Sequence, residues 1–254
     1  MPKFEHVIVI VFENKESGSV LGSRDAPTFN SYARRYAKLT RYFGITHPSL
    51  PNYLALVSGS TQNITTDCTD CVVSASSLAD TLEAAGRSWK TYAEGLPAAG
   101  FLRAEDGLYV KRHNPFVYFR SVIDSPSRRA KIVPLTELAV DLRAGRLPDF
   151  SLVVPNMCNS MHDCPVRTGD RWLRATVPPL LLIPKTAVFV IFDEGSPQGR
   201  NHVTALALGS AVLPHSRFAA VTGHYGLLRT IEAAWALPLL GHSAQAAPIT
   251  RIWR

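Results

Sequence analysis

Short, wholly apolar runs alternate along the chain with longer stretches in which apolar residues return every three or four positions. HVIVIVF (6–12) and TAVFVIF (186–192) are continuous and rich in β-branched residues, as strands buried on both faces of a parallel sheet require. RSWKTYAE (87–94), DFSLVVP (149–155) and HVTALALGS (202–210) read as further strands. APTFNSYARRYAKL (26–39), SLPNYLALVSG (49–59), SSLADTLEAAG (76–86), PLTELAVDLRAG (134–145), GDRWLRATV (169–177) and HYGLLRTIEAAWAL (224–237) carry helical spacing. Pro51 suits the first turn of its helix, Ser76 or Ser77 supplies an N-cap, and Gly86 supplies a stop. This alternation predicts an α/β fold, a doubly wound and mainly parallel sheet with helices on both faces. With 254 residues, 46% of them hydrophobic, the chain is expected to form one domain over 1–254 around one core.

In such sheets ligands bind beyond the carboxyl ends of the strands. Polar residues follow the apolar runs there: Glu13 and Asn14 after the first, Asn156 after SLVVP, and Asp193 and Glu194 after TAVFVIF. Singly, each reads as an ordinary strand-end residue. Together, three carboxylates and an amide carbonyl at one rim would repel without a cation, and an all-oxygen set suits one hard divalent ion such as Ca²⁺, Mg²⁺ or Mn²⁺.

Ser49 in THPSLPNY opens a predicted helix. Alone it reads as a capping serine. Beside a divalent ion, the free N–H groups and positive dipole end of the helix would make its hydroxyl a candidate nucleophile, with Ser49 itself a ligand. His47, His113, His162 and His202 lie in polar, non-periodic contexts and are candidates to hold phosphoryl oxygens or protonate a leaving group. His224 opens the last long helix as a cap or support, and His6, His215 and His242 are read as structural or exposed.

The formal charge of +7 favours anionic partners. The basic residues are scattered in pairs (Arg34-Arg35, Lys111-Arg112, Arg128-Arg129) with no stripe of stacking aromatics, so nucleic acid is not expected. No apolar run approaches the ~20 residues of a transmembrane helix, and the run at 7–12 ends in ENKE without a cleavage site, so no signal peptide is read in this chain. Four cysteines allow three connectivities. Their local spacing favours Cys68 with Cys71 and Cys158 with Cys164, and with them an oxidising, secreted or periplasmic setting. The second bridge would contribute about 2 kcal/mol and would pin the loop carrying His162.

HVIVIVFENKES, THPSLPNYLALVSGST, KRHNPFVYF, LPDFSLVVPNMCNSMHD, GDRWL, VFVIFDEG, NHVTALALG and HYGLLRTIEAAWALPLLG together resemble the bacterial phosphoesterase family of acid phosphatases and phospholipases C, within the alkaline phosphatase superfamily. The chain is most similar there to short secreted acid phosphatases of the phosphatidylinositol-3-phosphatase type. The resemblance implies that Ser49 forms a phosphoseryl intermediate and that Glu13, Asn14, Asp193 and Glu194 hold the metal together with the Ser49 oxygen, zinc and iron being admitted beside the harder ions. It implies that His113, His162 and His202 surround the phosphoryl group. His47 and Asn52 match the pattern without a defined role, with Asp163 and His224 as further supporting residues. Ser160 departs from it, standing where an acidic residue is expected. A serine nucleophile and a short chain favour phosphomonoesters over the alternative, a phosphodiesterase or phospholipase C on the same scaffold, and the resemblance admits anionic lipid head groups as partners. A serine esterase of the α/β-hydrolase type would need a G-x-S-x-G elbow, which the chain lacks. A basic binding domain with a vestigial site is the non-enzymatic reading.

Overall fold

The computed structural model describes residues 3–254. Its centre is an eight-stranded sheet, in the order Arg217–Phe218, Ala37–Leu39, Ala205–Leu208, Thr186–Phe192, His6–Phe12, Phe150–Val154, Trp89–Ala93 and Ile132–Pro134. Every strand but Ala205–Leu208 shares one direction. The two most apolar runs form the adjacent central strands, paired from His6 with Thr186 to Phe12 with Phe192. Every residue of both is buried apart from His6, as their uninterrupted apolar sequence demands.

The helices cover both faces in the doubly wound manner. Pro27–Arg35 packs with Val166–Thr176, and Ser49–Ser58 packs with His224–Trp235. Phe12, Phe29, Trp172 and Phe192 interlock where the first pair meets the sheet. Ser77 caps Leu78–Ala84 in a capping box with Asp80, and Gly86 follows in the left-handed region at φ 69°, an economical stop for a helix.

The predicted helix over 26–39 ends at Arg35, and Ala37–Leu39 instead becomes a strand against Ala205–Leu208 and Arg217–Phe218. Pairing with residues so distant in the chain overrides a helical pattern that is only local. The strand Ile132–Pro134 lies within or beside segments read as helical or irregular. Among the described residues no helix is long and apolar enough to cross a membrane. Both expected cysteine pairs are bridged, Cys68 to Cys71 and Cys158 to Cys164.

Candidate active site

Because the two central strands end in register, Glu13 and Asn14 stand beside Asp193 and Glu194 at one rim. The Asp193 N–H donates to Phe12 O at 3.0 Å and the Asn14 N–H to Asp193 Oδ1 at 3.2 Å, while Asn14 turns out of the strand at φ 51°. Asparagine tolerates that left-handed turn better than most side chains.

The helix Ser49–Ser58 brings its first residue onto this rim, with Pro48 at the N-cap and Gly59 closing the far end in the left-handed region. Ser49 Oγ lies 3.2 Å from Glu13 Oε2, 3.4 Å from Glu194 Oε1 and 3.5 Å from Asn14 Oδ1. One hydroxyl proton can serve only one of three acceptors. Tyr53, one helical turn on, donates its hydroxyl to Glu13 Oε1. Asn52 fixes the approach to the helix: its Oδ1 accepts from the Ile45 and Thr46 N–H groups at 2.8 and 3.2 Å, and its Nδ2 donates to Thr46 O, Pro48 O and Glu194 Oε2. Gly44 lets this approach lie flat, since a Cβ there would meet Asn201 Oδ1 at 2.7 Å and Asp193 O at 2.8 Å.

The electrostatics are those of crowded, dry carboxylates. Burial lifts Glu13 well above the usual carboxyl range, with the Asp193 charge adding to it. Burial raises Asp193 to about 6 against the hydrogen bonds it accepts, and burial followed by the Asp193 charge raises Glu194 to about 8. Asp193 Oδ2 is buried without a hydrogen-bond partner. Among the described residues no three His, Cys, Asp or Glu side chains already stand in coordinating positions about one point. The donor set nevertheless fits a hard divalent ion, because acceptor oxygens outnumber donors and one of them is orphaned in a buried site.

The histidines divide. His113, buried, stacks on Tyr53 with ring centroids 5.3 Å apart and places Nε2 3.4 Å from Glu13 Oε2. Burial, then the nearby Arg112 and His162 charges, hold it well below the ordinary histidine range, so it is neutral. The His162 ring lies 5.9 Å from that of His113 and its Nδ1 is 2.7 Å from Asp163 Oδ1. His47 Nδ1 is 2.7 Å from Glu194 Oε2, an ion-pair distance without hydrogen-bond alignment. His224 supports the rim from behind, with Nε2 2.6 Å from Asp193 O and Nδ1 3.0 Å from the Tyr42 hydroxyl; burial lowers it to about 4. His202 is not brought into the cluster. Its Nε2 faces Thr40 O at 3.0 Å and its ring packs on Phe43, so its predicted place at the phosphoryl group has no contact behind it here. Ser160, the departure in CNSMHD, contributes its backbone carbonyl, which accepts the Glu13 N–H at 2.9 Å. The remaining histidines are structural or exposed, as read: His6 Nδ1 faces Pro148 O and His215 Nδ1 faces Arg34 O, while His242 lies against Tyr225 at the surface.

Sequence reading passes over Tyr53, Asp67, Arg112 and Glu94. Tyr53 looks like a core aromatic in an apolar helix. Asp67 accepts the Leu50 N–H at 2.9 Å and lies 3.6 Å from Arg112 Nε, a link between loops that spacing does not show. Glu94 follows its strand as Glu13 follows the first, and the same strand-end rule finds it.

The Cys158–Cys164 bridge closes the loop that carries His162. Replacing both cysteines by serine should cost about 2 kcal/mol, read as a thermal midpoint roughly 4–8 °C lower. Turnover should fall with it while KM changes little.

The order of the sheet and the helices on its two faces give the chain an alkaline-phosphatase-like fold. A superfamily protein from Vibrio parahaemolyticus superposes with a TM-score of 0.66 at 13% identity, over 99% of this chain and 72% of that one. The Phosphoesterase family model matches residues 13–208. Over 259 residues the chain is 34% identical to the phosphatidylinositol-3-phosphatase of Mycobacterium tuberculosis, covering 100% of this chain and 84% of that one. Over 230 residues it is 32% identical to an acid phosphatase of Aspergillus fumigatus, covering 84% of this chain and 52% of the fungal one, about half its length. The chain therefore belongs to the phosphoesterase family, and it is a hydrolase of phosphate esters.

Proposed function

We propose that the protein is a metal-dependent phosphomonoesterase of the acid phosphatase kind, with Ser49 as its nucleophile. The observation that carries this reading is the single hydroxyl of Ser49 at a helix start, within hydrogen-bond distance of Glu13, Asn14 and Glu194 at once. Glu13, Asn14, Asp193, Glu194 and the Ser49 oxygen would hold one divalent ion. When bound, that ion would lower the pKa of the hydroxyl and offset the charge of the carboxylates and of the phosphoryl group.

The chain's own groups then have defined tasks. The helix start turns its positive dipole end to the phosphoryl oxygens, while its N–H groups are largely committed, since Pro48 and Pro51 have none and the Leu50 N–H donates to Asp67 Oδ1. The Ser49 hydroxyl passes its proton to Glu13 Oε2, 3.2 Å away, and its oxygen bonds to phosphorus as the bond to the leaving group breaks. Asp163, beside His162 Nδ1, leaves the Nε2 edge of that ring to deliver a proton to the departing oxygen. Water then attacks the phosphoserine and gives a proton to His162, and phosphate leaves as Glu13 returns its proton to the Ser49 oxygen. His113, neutral and fixed against Tyr53, orients rather than exchanges protons.

The likeness to a phosphatidylinositol-3-phosphatase supports phosphoinositides among the substrates, and anionic lipid head groups as partners. The two disulfides support an oxidising, secreted or periplasmic location. Turnover of p-nitrophenyl phosphate, bis-p-nitrophenyl phosphate and p-nitrophenylphosphorylcholine, each with Ca²⁺, Mg²⁺, Mn²⁺ and Zn²⁺, tests the reading. The monoester should be preferred by at least about tenfold, or more than 1.4 kcal/mol in the barrier. A preference for either diester would replace the monoesterase with a phosphodiesterase or phospholipase C.

A further inference from the structure

Glu94 closes the strand Trp89–Ala93, its N–H donating to Val154 O at 2.8 Å. Both oxygens of its carboxylate are committed to one loop. Oε2 accepts the Asn156 N–H at 3.0 Å, and Asn159 Nδ2 donates to Oε1 and Oε2 at 2.9 and 3.0 Å. Asn156 Oδ1 folds the loop back by accepting the Cys158 and Asn159 N–H groups at 3.1 and 2.9 Å. The same loop carries Ser160, whose carbonyl holds the Glu13 N–H at 2.9 Å, and His162, whose ring lies beside that of His113. The Cys158–Cys164 bridge closes the loop on itself, yet a loop closed on itself still has to be fixed to the sheet. Glu94 supplies that link from a neighbouring strand end. It also lines, with Val110, His113 and Asn156, a narrow cleft between the loop and the His113 segment.

We propose that Glu94 is a positioning residue, which sets the His162 loop against the acidic rim without touching the substrate. The inference rests on the preceding reading, in which His162 moves a proton. Its chemistry requires a carboxylate. Every group aimed at Glu94 is an N–H donor, so an ionised carboxylate satisfies them all with charge-assisted bonds. An amide of the same shape would turn its own NH₂ towards one of them.

The test is a double-mutant cycle on p-nitrophenyl phosphate, with the full chain and saturating divalent ion. Glu94→Gln should lower kcat roughly ten- to a hundredfold, the cost of a catalytic group displaced by about an ångström, with KM and the thermal midpoint close to those of the parent. In a His162→Ala background the same change should cost little more, because the group it positions is already absent. Asn159→Ala removes the other end of the link and should reproduce the kcat loss without deepening it in combination with Glu94→Gln. This second cycle serves where His162→Ala turns over too slowly to measure, and Asn159→Ala combined with His162→Ala serves where Glu94→Gln does not fold. Equal fold losses in parent and His162→Ala backgrounds, or a change confined to KM, would overturn the proposal. Ser49→Ala keeps the two levels apart. An active Ser49→Ala sinks the nucleophile reading, whereas an inactive Ser49→Ala with an additive cycle sinks only the role of Glu94.

Discussion

Ser49→Ala should lower the turnover of p-nitrophenyl phosphate by at least about a thousandfold while the protein stays folded. The expectation of an intact fold has its own physical basis. Ser49 is the first helical residue and makes no capping hydrogen bond, that position being held by Pro48. Alanine is the better helix former, which offsets part of the loss of the one long hydroxyl hydrogen bond that Ser49 gives to its acceptors. The circular dichroism spectrum should therefore match that of the parent, and the thermal midpoint should be no lower by more than a few degrees. Turnover within tenfold of the parent would show that another group attacks phosphorus.

Removing divalent ions with EDTA should abolish activity, and adding back the preferred ion at about a hundred times its Kd should raise stability by about 3 kcal/mol. For a chain of this size that corresponds to roughly 5–10 °C in the thermal midpoint. At one fixed ion concentration the gain should grow with pH, because the Kd falls as the carboxyls lose their protons. A carboxyl lifted in the folded state keeps a proton that the unfolded chain has lost, so each lifted group makes the metal-free protein less stable as pH rises. The window opens near the ordinary carboxyl value of about 4 and runs through about 6 for Asp193 and about 8 for Glu194. A cation replaces those protons, so its stabilisation should be small at pH 5 and large at pH 8. A midpoint shift independent of pH, or none with any ion, would mean that the carboxylates do not hold a metal.

The parts visible in the residue pattern are those fixed by local physics. The two central strands run where continuous apolar, β-branched sequence places them, and their shared register carries Glu13, Asn14, Asp193 and Glu194 to one rim as the strand-end rule expects. The start of the helix at Ser49 follows from the proline-flanked entry and the apolar run after it. What stays hidden depends on contacts between distant segments. Ala37–Leu39 reads as helix because its strand partners lie far along the chain. Tyr53 is indistinguishable from a core aromatic until its hydroxyl is seen on Glu13. Glu94 ends the strand read over RSWKTYAE, where the strand-end rule reaches it, yet nothing local shows that its partners are Asn156 and Asn159. His202 shows the limit of reading a histidine from its polar neighbours, since nothing in GRNHVT tells which way a ring turns, and here it turns to Thr40.

The reacting oxygen and the carboxylates belong to different layers of the molecule. The carboxylates follow the two central strands of the sheet, whereas Ser49 rides on a helix packed mainly against other helices. The site is thus a seam. A shift of the Ser49 helix by less than an ångström would part nucleophile from acids while leaving every strand pair as it was. Fitness for reaction and soundness of fold are separable properties in this architecture, and damage along the seam would register in turnover alone.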